Sequence, residues 1–160
     1  MARSQQPTPS DRMLRYVVES RTCHERLRDG LTQLAGIALL MMTRRNRIDS
    51  LQAPLDAARA LLVPPFEALA CLAVPREARH HHQHLLTAAD ALRQAIARIE
   101  TCLYPNADER SRSALTRSLR RATEHLRAAG ALLPGFAMVD MAQACCACHA
   151  APVRPTCLAG

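Results

Sequence analysis

The sequence predicts an all-α protein: an antiparallel bundle of four main helices with a short fifth helix at the C-terminus. Three observations carry this. Ala and Leu dominate the 49% of residues that are apolar, a composition that favours helix over strand. Apolar residues recur at spacings of three and four over most of the chain. No stretch alternates apolar and polar residues in the manner of a strand, and no internal repeat is visible. The length of 160 residues suits one domain with a real core.

Residues 1–9 are polar, carry Pro7 and Pro9, and read as a disordered tail. Ser10-Asp11 is the expected N-cap of a first helix ending near Arg45. Leu14, Val17, Val18, Leu27, Leu31, Leu34, Ala38 and Met41 form its stripe, and Gly30 is a place for a bend. Asp49-Ser50 caps the second, with Leu51, Leu55, Ala58, Leu61 and Leu62 inward. Pro64-Pro65 should break or sharply kink it, because each Pro removes an N–H and crowds the preceding turn. A less regular helical domain is the alternative if the helix splits there.

Pro75 opens the third helix at its first turn. Leu85, Ala89, Leu92, Ile96, Ile99 and Leu103 make its stripe, the clearest period in the chain. Asn106 and Glu109 resemble a capping box for the fourth. Leu115, Leu119, Ala122, Leu126 and Ala129 line that helix, and Gly130 is its expected stop. A short helix is expected from Ala137 to about His149. The single domain is thus placed at 10–151, followed by a loose tail at 152–160.

The formal net charge is +7, and all 21 basic residues are Arg. The exclusion of Lys fits the codon usage of a GC-rich genome and weakens any reading of Arg as selected for phosphate forks. The Arg residues are spread and interleaved with acids, and aromatic residues make up only 2%. Both features argue against nucleic-acid recognition. No apolar run approaches the ~20 residues of a membrane span. The first residues lack an apolar segment with a cleavage site, and seven cysteines fit a reducing compartment, so the cytoplasm is expected. A misplaced start with attached haem would instead mean the periplasm.

One segment speaks of chemistry: Ala144-Cys145-Cys146-Ala147-Cys148-His149, which contains C-x-x-C-H. Two thiols at that spacing can add to the two haem vinyl groups, and the next His can ligate the iron. A helical bundle with this motif near its end resembles cytochrome c′. The resemblance implies covalent haem on Cys145 and Cys148, with His149 as axial ligand. It also implies electron transfer or gas binding at iron, with Met13 or Leu14 as candidates for the distal side. The same residues admit a second reading, thiolate metal binding. Cys145, Cys146, Cys148, His149 and Cys157 put four thiols and one imidazole in a short span, a donor set suited to zinc or copper.

His80-His81-His82-Gln83-His84 is the other candidate. His80 and His84, four apart on a helix, can face one way and grip a transition metal. The plainer reading is an exposed polar first turn, with His81 or His82 partly buried. Cys23, Cys71, Cys102, Met41 and Met42 read as core residues. No G-x-S-x-G, H-E-x-x-H or glycine-rich phosphate loop occurs, so enzymatic activity is the least supported class. The cofactor-free alternative is a helical interaction module. Its helix faces would meet a second copy or another protein, and its basic surface an acidic partner.

Overall fold

A computed structural model describes residues 8–43, 48–103, 109–133 and 135–136. The described chain is all-α, a helical bundle of four helices: α1 (Pro9–Thr43), α2 (Gln52–Cys71), α3 (Arg79–Cys102) and α4 (Glu109–Leu132). Short 3-10 turns at Ile48–Leu51 and Arg76–Ala78 lead into α2 and α3. The fifth helix expected at 137–149 lies outside the described residues.

The start of α1 comes earlier than the sequence suggests. Thr8, not Ser10, is the cap. Its Oγ1 accepts the Asp11 N–H at 3.2 Å, while Asp11 Oδ2 accepts the Thr8 N–H at 3.0 Å. This is a reciprocal capping box, with Pro9 at the first helical position where no N–H is missed. These bonds hold the exposed Asp11 carboxyl below its usual range.

The stripe of α1 holds only over its second half. Leu27, Leu31, Leu34, Ile37 and Ala38 are buried, but Leu14 is 65% and Val18 61% exposed. The inward positions there are Tyr16, Ser20, Cys23 and His24. At 35 residues α1 is about 52 Å long, against about 36 Å for the 24-residue α3 and α4. It cannot be covered along its whole length, and Leu39, Leu40 and Met42 near its end stay exposed. Among the described residues, no helix is long and apolar enough to cross a membrane.

Pro64-Pro65 does not break α2, which runs through both prolines to Cys71. Burial on both sides explains the continuity. Leu55, Ala58 and Leu62 precede the prolines, Phe66 and Leu69 follow them, and Pro65 is itself buried. Apolar burial of about 1.5–3 kcal/mol per large side chain holds the helix across the lost N–H groups. Arg93 of α3 lies 4.3 Å from the centre of the Phe66 ring. Arg59 and Glu100 add an ion pair from α2 to α3.

Pro75 sits before the 3-10 turn rather than inside α3, in extended conformation. The stripes of α3 and α4 agree with the sequence reading. Leu85, Ala89, Leu92, Ile96 and Ile99 are buried, as are Leu115, Ala122, Leu126 and Ala129. Leu103 and Leu119 are partly buried against them. Gly130 does not stop α4, which continues to Leu132; the positive φ falls at Gly135. Cys23 and Cys102 are buried as expected, whereas Cys71 is exposed and Met42 is 56% exposed.

Candidate functional site

Three segments far apart in sequence meet at one place: the first half of α1, the start of α3 and the end of α4. They bring together His24, His80, His81, His82, His84 and His125, six of the seven histidines. Two of the six are deeply buried. His81 and His24 are each 2% exposed, and Tyr16 beside them is 1% exposed.

The buried half is a ring assembly. Tyr16 Oη and His81 Nδ1 share a hydrogen bond at 2.7 Å, its direction set by the His81 tautomer. His24 Nε2 donates to the Leu126 carbonyl across the helices at 3.3 Å. Phe136 then closes the assembly. Its ring meets His24 edge-on at 5.4 Å and His81 at 4.7 Å between centroids. Such T-shaped contacts set a positive ring edge against a negative ring face. His81 Nε2 and His82 Nδ1 are buried without a hydrogen-bond partner.

Burial sets the protonation of this group. It pushes His81 down to about 4, with the nearby His24, His82 and His84 acting in the same direction. Burial also lowers His24, opposed by its bond to Leu126, and lowers His82. It raises the Tyr16 hydroxyl, with Ser20 partly offsetting it. These rings are therefore neutral at pH 7, and Tyr16 stays protonated.

A direct test of the Tyr16–His81 bond follows. Tyr16→Phe strands His81 Nδ1 in the interior beside the already unpartnered Nε2. A loss of about 1–3 kcal/mol is expected, read as a lower urea midpoint at unchanged slope. An unchanged midpoint would mean that the bond contributes nothing.

The outer half holds His80, His84 and His125. His84 Nδ1 and His125 Nδ1 lie 2.8 Å apart, from α3 and α4 respectively. The His80 ring sits 4.8 Å from the His84 ring, tilted by 41°. The pairing of His80 with His84 expected from their spacing is thus present. Among the described residues, however, no group of three or more His, Cys, Asp or Glu is arranged to hold a metal ion. Cys145, Cys146, Cys148, His149 and Cys157 lie outside the described residues.

His125 and His24 were not legible as members of a cluster, because each is a lone histidine in its own helix. Only the helix packing aligns them with α3.

No family model matches the chain, and neither does any curated protein or solved structure.

Among the described residues, surface grooves also lie elsewhere. One of about 520 Å³ runs between Met41, Met42 and the start of α4, and is lined by Arg112, Arg117 and Arg120 with Glu109. Another, about 420 Å³, lies between Asp11, Arg12 and Arg15 of α1 and residues 73–76.

Proposed function

We propose that the chain is a metal-binding protein, an antiparallel four-helix bundle with a thiolate and imidazole donor set at Cys145, Cys146, Cys148, His149 and Cys157. The observation that carries this reading is the donor set itself. Four thiols and one imidazole in so short a span match the preferences of zinc, which takes four N or S ligands, and of Cu(I), which accepts thiolates. A reducing compartment such as the cytoplasm keeps those thiols available.

Haem is the other group these residues suit, with Cys145 and Cys148 as attachment thiols and His149 as ligand. When bound, it would supply electron transfer or gas binding at iron. The interior between the helices is already filled, with Leu27, Leu34, Leu55, Leu62, Leu85, Leu92 and Ile99 all essentially without exposure. That filling favours thiolate metal over a haem embedded in the bundle.

Metal content of the protein purified from its native host, together with a haem stain on a denaturing gel, tests the reading. Bound zinc or copper without stain is expected, and Cys145→Ser/Cys148→Ser should lose most of it. A stained band would move the assignment to covalent haem. No metal and no stain would leave the interaction module. That second reading draws on the exposed Leu39, Leu40 and Met42 and on the arginine-lined groove beside Met42, which suits an acidic partner.

A further inference from the structure

We propose that His84 and His125 form a two-imidazole chelate for a divalent transition-metal cation at the seam between α3 and α4. This site shares no ligand with the proposed thiolate set and does not depend on it.

The argument begins with distance. The two Nδ1 atoms are 2.8 Å apart although their residues are 41 positions apart in sequence. Imidazole nitrogens bind zinc at about 2.0–2.1 Å. Two such bonds at angles between a right angle and a tetrahedral one put the nitrogens about 2.8–3.4 Å apart. An opening of at most about 0.6 Å therefore converts the pair into a chelate. Both side chains are only half-buried, so that opening needs ring rotation and no movement of the helices.

The helices fix the partners. Around this pair the α3–α4 seam is closed by Leu85, Ala88 and Leu92 on one side and Ala122, Leu126 and Ala129 on the other, all fully buried. A site on packed helices holds its ligands in register better than one on loops. The seam also explains why two imidazoles are forced together without a carboxylate between them.

Chemistry then favours a cation. Without metal, the close contact is satisfied by one Nδ1–H donating to the other Nδ1. A second proton cannot enter, because two N–H groups would face each other across 2.8 Å. A divalent cation replaces the shared proton and takes both lone pairs. The neutral pair releases no net proton in this exchange. The imidazole that carried its hydrogen on Nδ1 carries it on Nε2 after exchange with water. Imidazole ligands suit Cu²⁺, Ni²⁺ and Zn²⁺, and water completes the coordination. Burial, together with His125 and His80, lowers the affinity of His84 for a proton, which keeps its lone pair open to metal near neutral pH.

His80 is exposed one turn earlier, its ring 4.8 Å from that of His84. It is the control: its loss should weaken binding less than the loss of His125, which comes from the facing helix.

The test uses Ni²⁺ as the probe and the full chain with Cys145, Cys146, Cys148 and Cys157 all changed to Ser. One Ni²⁺ per chain is expected by calorimetric titration. In that background His84→Ala and His125→Ala should each weaken binding at least tenfold, and His80→Ala by less. A second measurement guards against misfolded variants. Substoichiometric Cu²⁺ added to the four-serine chain with all its histidines intact should broaden the ring NMR signals of His84 and His125 before those of His24 and His81.

The proposal is overturned if His125→Ala binds Ni²⁺ as tightly as its parent, if the four-serine chain binds none, or if broadening begins elsewhere. Failure of the thiol reading looks different. It appears as equal native metal content with and without the four cysteines, and leaves the nickel result untouched.

Discussion

Acidification from pH 7 to pH 4 is expected to destabilise the fold by about 3 kcal/mol through His81 alone. The side chain is 2% exposed, shares its Nδ1 with Tyr16 and is covered by the edge of Phe136. Its pKa is held at about 4 in the fold, against 6.5 for an ordinary histidine. The unfolded chain therefore binds the proton first. The contribution is fully present above pH 6.5, is lost as the pH falls from there towards 4, and levels off below. A gap of about 2.5 pH units at about 1.36 kcal/mol each gives the figure. His24 and His82 are lowered by the same burial and add to the slope. Urea unfolding at pH 7, 5.5 and 4.5 measures it. In the Tyr16→Phe/His81→Leu chain, which removes both polar partners together, the slope should flatten clearly. A slope equal to that of the unsubstituted chain would show that His81 is not the titrating group.

The same corner of the molecule shows what the sequence can and cannot express. The stripes of α3 and α4 are legible because apolar identity and burial coincide at Leu85, Leu92, Ile99, Leu115 and Leu126. In the first half of α1 they part company. The apolar reading chose Leu14 and Val18, yet the helix turns Tyr16, Ser20 and His24 inward, two positions out of phase at its start. Hydropathy counts these three as surface residues. Their burial is tolerated because Tyr16 pairs with His81, His24 with the Leu126 carbonyl and Ser20 with the Val17 carbonyl. Those partners lie on other elements, except for Val17, and no local pattern announces them.

The His80–His84 spacing was readable, since it lies within one helix. The closer contact of His84 with His125 depends on which faces of α3 and α4 meet. Pro64-Pro65 does not end α2, for the reverse reason. Each Pro removes an N–H from the helix, and burial of Leu62, Pro65, Phe66 and Leu69 outweighs that loss.

Gly30 offers the sharpest test of that packing. α1 runs through Gly30 unbroken, and the residue serves as a seat for Leu62 of α2. A Cβ placed there would lie 2.6 Å from Leu62 Cγ and 2.9 Å from its Cδ1. Leu62 is fully buried, so it has little room to retreat. Gly30→Ala gains up to about 1 kcal/mol in helix propensity. It should nonetheless be net destabilising, because overpacking a closed core costs about 1–3 kcal/mol.

Leu62→Ala alone removes a fully buried side chain and leaves a cavity, for an expected loss of about 2–5 kcal/mol. The two changes should not add. With Ala at both positions the new methyl group enters space that the leucine vacated. The clash disappears and the propensity gain survives. The double variant should therefore be at least as stable as Leu62→Ala alone, with a coupling of about 1–3 kcal/mol in a double-mutant cycle. Additive losses would mean that α1 and α2 do not meet at this point. That result would remove the packing account of why α2 stays whole past its prolines.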